Sequence, residues 1–339
     1  MALLEVTDLR VSFNTPDGVV QAVRGLSFAV DHGQTLGIVG ESGSGKSVAT
    51  QTIMGLTVGA EITGEALFED RDLLTVPANE MGNYRGEKIG MIFQDPLSSL
   101  HPYYRVGWQI VEMIRAHQPD TSKAKARARA VELLDLVGIP QAKSRVDDFP
   151  HQFSGGMRQR VMIAMAMALN PQLLIADEPT TALDVTVQAQ VLQVMKRLQE
   201  EFGTAIIMIT HDLGVIADMA DEVVVMYAGA AMEKADRREL FYHHHHPYTE
   251  GLLASLPTRG AKKERLTPIK GQPPSLIDLP PGCPFSTRCP YVFDKCFAEP
   301  PPLQQVYDSP RHVSACWLAL DEPTRRAQRT EIDKVRGWA

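Results

Sequence analysis

The sequence predicts an α/β fold in which a mostly parallel sheet carries helices on both faces. Three observations predict it. Short apolar runs alternate with helical stretches, a glycine-rich loop joins the apolar run 35–39 to a helix at 47–56, and a second apolar run, 173–176, ends in two carboxylates. In such folds ligands bind at the carboxyl ends of the strands, so the loop and the carboxylates are expected to meet there.

The N-terminal part of the chain is expected to form an antiparallel β subdomain. Residues 4–7 and 11–13 alternate apolar and polar side chains, 16–18 carry the turn sequence Pro-Asp-Gly, and 19–30 resume an extended pattern. Phe13 lies on one of these predicted strands, ahead of the glycine-rich loop. An aromatic residue there can stack on a nucleotide base, although a strand phenylalanine is more often part of the core.

The glycine-rich loop at 40–47 fits the phosphate-loop pattern G-x-x-x-x-G-K-[ST] at every fixed position. Its glycines let successive backbone N–H groups point at phosphate oxygens, and the next helix adds the positive end of its dipole. We expect Lys46 to contact the β- and γ-phosphates and the Ser47 hydroxyl to bind Mg²⁺. A glycine-rich turn without a ligand is the alternative, which the flanking strand and helix disfavour. The predicted contacts are Gly40, Ser42, Gly43, Ser44, Gly45, Lys46, Ser47 and Val48.

The two carboxylates after the run 173–176 are Asp177 and Glu178. Asp177 is expected to hold Mg²⁺, and Glu178 to polarise the water that attacks the γ-phosphate, as a general base. An apolar run ending in Asp-Glu is a weak signal alone, and the preceding phosphate loop makes it strong.

Helical patterns interrupt the strand–helix alternation, which predicts an inserted helical subdomain at about 95–169. The basic side chains of its second helix are interpreted as a solvated face rather than a binding patch. The remaining expected elements are strands at 66–69, 88–93, 205–210 and 223–227 and helices at 106–117, 122–137 and 187–202.

A second candidate phosphate cradle lies at 154–159, where Ser-Gly-Gly opens an apolar helix. The serine predicts a helix cap, and the bare N–H groups that follow could face an anion. One nucleotide in one chain does not need two cradles. We therefore expect this segment to serve the nucleotide of a facing subunit.

Composition excludes several classes of protein. The formal net charge of −7 argues against nucleic acid as a principal partner. The N-terminus lacks the basic start and apolar core of a signal peptide, and no apolar run reaches the roughly 18 residues that cross a bilayer. The expectation is a cytoplasmic chain that reaches a membrane only through partners.

The C-terminal part, 251–339, has a different composition. Thirteen of the 23 prolines lie after Gly251, which predicts an extended, helix-poor appendage. All four cysteines lie here, at Cys283, Cys289, Cys296 and Cys316. Because disulfides are rare in a reducing compartment, a shared metal site is the preferred interpretation. The histidine run 243–246 is interpreted as a loop.

This order of motifs resembles the ATP-binding subunit of ATP-binding cassette (ABC) transporters. The resemblance implies an ABC-type nucleotide-binding domain at 1–250, with a RecA-like sheet core, the antiparallel β subdomain and the helical subdomain. It implies base stacking for Phe13, contact of Gln94 with Mg²⁺ and with the transmembrane partner, and contact of His211 with the γ-phosphate. The implied catalytic set is Glu178, His211, Gln94 and Lys46, with Ser47, Gln94 and Asp177 around Mg²⁺. The contacts it implies in the signature segment and the D-loop (181–184) are Ser154, Gly155, Gly156, Gln159 and Asp184.

The C-terminal part further resembles that of oligopeptide and dipeptide importer ATPases. In that subfamily four cysteines hold a 4Fe–4S cluster, and the spacing C-x5-C-x6-C-x19-C favours iron–sulfur over zinc, whose sites show closer pairs. Free thiols are the third and least favoured alternative. The implied partners are a second ABC ATPase subunit, two transmembrane permease subunits and, indirectly, an external peptide-binding protein, with no nucleic acid.

The resulting expectation is an ATPase subunit of an ABC importer for peptides, on the cytoplasmic face of the inner membrane. Three alternatives stay open. A related importer for nickel, glutathione or another small solute would have the same motifs. A soluble ABC ATPase acting on ribosomes or DNA would need basic surfaces or a second cassette, and an exporter would more often carry fused membrane spans.

Overall fold

Two β-sheets form the frame of the protein in the computed structural model, which describes residues 2–94, 99–181, 183–256, 268–306, 309 and 311–320. The smaller sheet has four strands in the order β2-β1-β4-β5, and all its pairs are antiparallel. Its strands are β1 (Leu4–Thr15), β2 (Gly18–Val30), β4 (Ala60–Phe68) and β5 (Arg71–Asp72). This sheet confirms the antiparallel subdomain predicted at the N-terminus.

The larger sheet has eight strands in the order β11-β12-β10-β9-β3-β8-β7-β6. The pairs from β9 to β6 are parallel, and those from β9 to β11 are antiparallel. Its strands are β3 (Thr35–Val39), β6 (Ile89–Ile92), β7 (Leu173–Asp177), β8 (Ala205–Thr210), β9 (Glu222–Tyr227), β10 (Ala230–Asp236), β11 (Gln304–Gln305) and β12 (Val313–Ser314).

Helices cover both faces of the larger sheet, as expected for buried parallel strands. Strand β7 illustrates this, because Leu173 and Ile175 belong to one buried core, and Leu174 and Ala176 belong to the other. The described helices are α1 (Lys46–Ile53), α2 (Val106–His117), α3 (Lys123–Leu136), α4 (Ala142–Arg145), α5 (Gly155–Ala166), α6 (Val185–Phe202), α7 (Leu213–Met219), α8 (Arg237–His243), α9 (Pro247–Ala254), α10 (Asp294–Ala298) and α11 (Trp317–Leu320). None of the helices in the described ranges is long and apolar enough to cross a membrane.

Helices α2 to α5 lie between β6 and β7 in the chain, where the helical subdomain is predicted. The apolar sides of α2, α3 and α5 pack together through Ile110, Leu133 and Val161. The basic side of α3 faces solvent, as expected, and Arg127 forms a two-pronged ion pair with Asp147. The first predicted residues of the subdomain, 95–98, lie outside the described residues.

The C-terminal region is not the extended appendage that its proline content predicts. Strand β12 pairs with β10 and so extends the larger sheet. Cys283, Phe285 and Cys296 belong to the buried core that also contains the apolar side chains of the helical subdomain. Packing against the sheet therefore fixes this region. Residues 257–267 and 321–339 of the predicted C-terminal part lie outside the described residues.

Candidate nucleotide-binding site

The predicted phosphate loop runs from the end of β3 to the start of α1, at the carboxyl end of a central strand. Gly43 and Gly45 have φ angles of 78° and 96°, a left-handed conformation in which a side chain is strained. A Cβ at Gly45 would also collide with the carbonyl oxygen of Ala22 on β2. The loop therefore requires glycine for its backbone shape and for its close contact with the smaller sheet.

Lys46 is buried inside the loop that it belongs to. Its Nζ donates to the carbonyl oxygens of Gly40 at 2.7 Å and Glu41 at 2.9 Å. Burial lowers the pKa of Lys46, and the carboxylates of Glu178, Asp177 and Glu41 act in the opposite direction. This cation therefore lies in a desolvated site that an anionic ligand would stabilise.

Ser47 and Asp177 meet at the base of the loop, as predicted. The Ser47 hydroxyl donates to Asp177 Oδ1 at 2.9 Å. Burial raises the pKa of Asp177, while the Ser47 hydroxyl and Lys46 lower it and Glu178 adds to the rise. A hydroxyl and a carboxylate are hard oxygen donors of the kind that Mg²⁺ takes together with nucleotide phosphates.

The carboxylate of Glu178 contacts three side chains from different parts of the chain. Its Oε2 accepts hydrogen bonds from Gln94 Nε2 at 3.1 Å and Thr181 Oγ1 at 2.7 Å, and its Oε1 lies 3.4 Å from His211 Nδ1. The structure thus brings together the predicted residues Gln94, Glu178 and His211. Thr181 is an addition, since sequence reasoning places it in the D-loop without a contact of its own.

Phe13 is part of the smaller sheet, and Val48 lies on α1. Phe13 is on β1, opposite Val20 of β2 and Ala60 of β4, and is partly buried. Both side chains pack against the core that this sheet shares with α1. The buried part of Phe13 belongs to the core, and the predicted stacking on a base would use the exposed part.

The signature segment lies on the helical subdomain, at the start of α5. Ser154 caps this helix, because its Oγ accepts from the N–H of Met157 at 3.3 Å, and Gly155 beside it is exposed. A Cβ at Gly156 would collide with Val187 of α6.

Gln159, the last residue of the signature segment, and Asp184, which precedes α6, are the two remaining predicted contacts. Gln159 is buried, and its side-chain Nε2 has no hydrogen-bond partner within the described residues. Asp184 caps α6 by accepting from the N–H groups of Thr186 and Val187 at 3.1 and 3.0 Å. Ala182 of the predicted D-loop lies outside the described residues.

The predicted iron–sulfur cluster is wrong, and so is its zinc alternative. Among the described residues, which include all four cysteines, no group of three or more His, Cys, Asp or Glu side chains is arranged to hold a metal ion. The cysteines are not joined in disulfides and line one small pocket with apolar side chains. Burial raises the pKa of Cys283 to about 12 and raises the pKa of Cys289 as well. The affected residues are Cys283, Cys289, Cys296 and Cys316.

Sequence reasoning missed the residues that brace the phosphate loop from outside. Tyr248 on α9 accepts a hydrogen bond from the N–H of Glu41 at 2.9 Å, and Arg288 binds the Glu41 carboxylate. Neither residue belongs to a nucleotide-binding motif. No local sequence pattern around either residue indicates that it contacts the phosphate loop.

Two family profiles match the sequence. The profile described as "ABC transporter" matches residues 23–181, and the one described as "Oligopeptide/dipeptide transporter, C-terminal region" matches residues 232–296. The first range contains the phosphate loop, the signature segment and both carboxylates, and the second contains three of the four cysteines.

Curated relatives are similar over nearly the whole chain. The sequence is 55% identical to the oligopeptide transport ATP-binding protein OppD of Bacillus subtilis, over 93% of this chain and 88% of that one. It is 52% identical to OppD of Escherichia coli K12, over 95% and 94% of the two chains. It is 51% identical to the dipeptide transport ATP-binding protein DppD of Lactococcus lactis, over 93% and 90%.

Solved structures share the fold. A dimeric, post-hydrolysis structure of the ATP-binding cassette MJ0796, bound to ADP and Pi, superposes with a TM-score of 0.63 at 26% identity. It covers 69% of this chain and 99% of that one. The structure of cbiO1 from Clostridium perfringens, part of the ABC transporter complex cbiONQ, gives a TM-score of 0.62 at 28% identity, over 71% and 91%.

Proposed function

The chain belongs to the family of oligopeptide and dipeptide ABC transporter ATP-binding proteins, and we propose that it hydrolyses ATP to drive the uptake of peptides. The observation that carries this proposal is the position of Glu178. Its carboxylate is held by three side chains at the end of β7, directly after the Ser47–Asp177 pair and beside a buried lysine. This is the arrangement that water attack on a terminal phosphate requires.

The phosphate loop is proposed to bind the triphosphate. Its glycines leave the backbone N–H groups open to phosphate oxygens, and Lys46 would exchange its bonds to loop carbonyls for bonds to the β- and γ-phosphates. Ser47 and Asp177 would hold Mg²⁺, with Gln94 as a further oxygen donor. Mg²⁺ neutralises developing charge on the phosphates when it is bound. Phe13 is proposed to stack on the base.

Glu178 is proposed as the general base. His211 and Thr181 would orient its carboxylate. Gln94, which binds the same carboxylate and precedes the helical subdomain in the chain, would couple the site to that subdomain. His211 is well placed to reach the γ-phosphate because its side chain is about 60% exposed. A base that must accept a proton from water needs this combination of fixed orientation and access.

A second ATPase subunit is proposed to complete the site. Ser154 and Gly155 of the signature segment are exposed, and so is Val185 at the start of α6, at 82%. An exposed helix N-terminus is suited to the phosphates of a nucleotide on a facing chain. Asp184 lies next to this surface. The fold of the dimeric cassette described above supports this arrangement.

A permease is proposed to dock on the helical subdomain. An open groove there is lined by Leu100, Tyr104, Trp108 and Met113. The rings of Tyr104 and Trp108 stack with their centroids 4.3 Å apart. Both residues are 46% exposed, and Tyr103 is 82% exposed. Adjacent exposed aromatic rings are typical of protein interfaces. Docking at this groove, which follows Gln94 in the chain, would link hydrolysis to transport.

The proposed organisation is a nucleotide-binding domain at 1–250 and a C-terminal region at 251–339. The proposed location is the cytoplasmic face of the inner membrane, where the chain is peripheral and attached through the permease. A related importer for nickel or glutathione has the same ATPase chemistry, and the names of the relatives favour peptides.

Copurification from detergent-solubilised membranes, with partners identified by mass, tests this proposal. We expect two permease subunits and a second ABC chain. Trp108→Ala should lower the recovery of the permease at least severalfold, whereas Tyr242→Ala, which removes a still more exposed aromatic ring on α8, should not. Recovery of ribosomal or DNA-repair proteins instead would remove the transport claim.

A further inference from the structure

The C-terminal region reaches the phosphate loop through Arg288. The Nη1 and Nη2 atoms of Arg288 donate to Oε2 and Oε1 of Glu41 at 2.6 and 2.9 Å. Glu41 is the second residue of the phosphate loop, and the Arg288 side chain is only 3% exposed. A two-pronged, desolvated pair of this kind is among the stronger polar contacts in proteins.

Arg288 is fixed on its other sides as well. Its Nε donates to the carbonyl oxygen of Lys270 at 3.0 Å, and Nη1 donates to the hydroxyl of Tyr227 at 3.2 Å. The guanidinium also lies over the rings of Tyr227 and Phe285, 5.7 and 6.0 Å from their centroids. These contacts come from β9 and from the C-terminal region, so the cation cannot move without disturbing both.

Glu41 transmits this restraint to the loop. Its N–H donates to the hydroxyl of Tyr248, and its carbonyl oxygen accepts from Lys46 Nζ and from the N–H of Ser44. Its carboxylate is close enough to the centre of the loop to act on Lys46. Left without a partner, this negative charge would repel the phosphates of a nucleotide.

We propose that Arg288 is a positioning residue of the nucleotide site, which neutralises Glu41 and thereby sets the affinity of the phosphate loop for ATP. The inference rests on the proposed function, and it gives the C-terminal region a direct part in that function. It assigns to Arg288 an electrostatic effect that can be separated from any effect on folding.

A variant series on the full-length chain separates the two. The Kd for a fluorescent ATP analogue with Mg²⁺ is measured by equilibrium titration, beside the Tm, for Arg288→Met, Glu41→Gln and the double variant. Arg288→Met should weaken binding about tenfold, the scale of one unneutralised charge near a multiply charged ligand. Glu41→Gln alone should change Kd by less than about threefold, and the double variant should regain affinity to within that range because the repelling charge is gone.

The control is Arg127→Met, which removes an equally two-pronged arginine–carboxylate pair on the helical subdomain and should leave Kd unchanged. If Arg288→Met does not fold, Arg288→Gln replaces it, because glutamine is neutral and keeps one polar NH2 group at this position. It should show the same tenfold loss and the same rescue by Glu41→Gln.

The outcomes are distinguishable. A lower Tm with an unchanged Kd, or a loss of affinity that Glu41→Gln does not relieve, means that Arg288 only fastens the C-terminal region, and the inference is overturned while the ATPase assignment stands. If the wild-type chain itself does not bind the nucleotide, the proposed function fails, and the inference fails with it.

Discussion

Glu178 has a φ angle of 48°, which is unusual for a residue other than glycine. Its N–H donates to the carbonyl oxygen of Ile209 on the neighbouring strand, so the sheet holds this conformation. The chain turns sharply after Asp177, and the two adjacent carboxylates take different partners, Ser47 for one and Gln94, Thr181 and His211 for the other. Strained backbone of this kind is concentrated at functional sites.

The role of Glu178 predicts a separation of binding from hydrolysis. Glu178→Gln keeps the size and hydrogen-bonding ability of the side chain and removes its basicity. We expect ATP turnover to fall by roughly 10²–10⁴-fold while the Kd for ATP changes little. Steady-state ATPase assays and nucleotide titration measure the two quantities.

The matched control is Glu200→Gln, the same change on the exposed side of α6, which should leave turnover unchanged. Near-normal hydrolysis by Glu178→Gln would show that another group activates the water.

The sequence predicts most of this site at the scale of single residues, because phosphate binding needs glycine, lysine and serine at fixed spacing. It does not predict Arg288, since the partner of Arg288 lies 247 positions earlier in the chain. Nothing in the local pattern around either residue indicates that pairing. The same limit explains the error at the cysteines, where spacing alone says nothing about burial or about the orientation of the thiols.

Elements with a clear pattern of apolar residues are predicted well. Strand β8 matches its predicted range of 205–210 because six consecutive apolar or β-branched residues can only be buried on both faces. Strands β11 and β12 are not predicted, because each has only two residues. Strand β12 depends on pairing with β10, and β11 depends on pairing with β12, rather than on their own sequences. Proline content alone misled the sequence interpretation of this region.

Helix α6 depends on its cap. Asp184 accepts from two N–H groups that the helix itself cannot satisfy. Asp184→Ala should lower the free energy of unfolding by about 1 kcal/mol, and the Tm by roughly 2 °C. Differential scanning calorimetry checks the Tm.

Asp184→Asn is the control for that prediction, because asparagine caps a helix about as well as aspartate. If both variants lost the same stability, the charge rather than the cap would be the cause.

On the scale of the whole molecule, a buried polar cluster joins the C-terminal region to the larger sheet. Glu233 of β10 is fully buried and accepts a hydrogen bond at 2.7 Å from the ring Nε2 of His312. The N–H of His246 also donates to Glu233, at 3.2 Å, and the His246 ring accepts from the N–H of Tyr248 at 3.0 Å. The region is thus fastened to the sheet by polar as well as apolar contacts.

This cluster predicts a loss of stability in acid. Burial lowers the pKa of His246 to about 4, although Glu233 acts to raise it. The folded protein therefore keeps this ring neutral at pH 5, whereas the unfolded chain protonates it below about pH 6.5. Because the unfolded state then binds more protons, the free energy of unfolding decreases as the pH is lowered from about 6.5 to 4. The free energy of unfolding at pH 5 should be roughly 2 kcal/mol lower than at pH 7.5.

Urea denaturation at pH 7.5 and pH 5.0 measures this loss. His246→Asn keeps an acceptor for the N–H of Tyr248 and removes the titrating ring, so its stability should fall less between the two pH values. An equal fall in the wild type and the variant would assign the acid sensitivity to other groups.

The central claim, that this chain is the ATPase of a peptide importer, is tested most directly by peptide uptake. The complex copurified with the chain is reconstituted into liposomes with its peptide-binding protein, and accumulation of a labelled oligopeptide is measured with and without ATP on the side of this chain. We expect uptake that requires ATP and is lost in the Glu178→Gln complex. Uptake that proceeds without ATP, or at the wild-type rate in that variant, would contradict it.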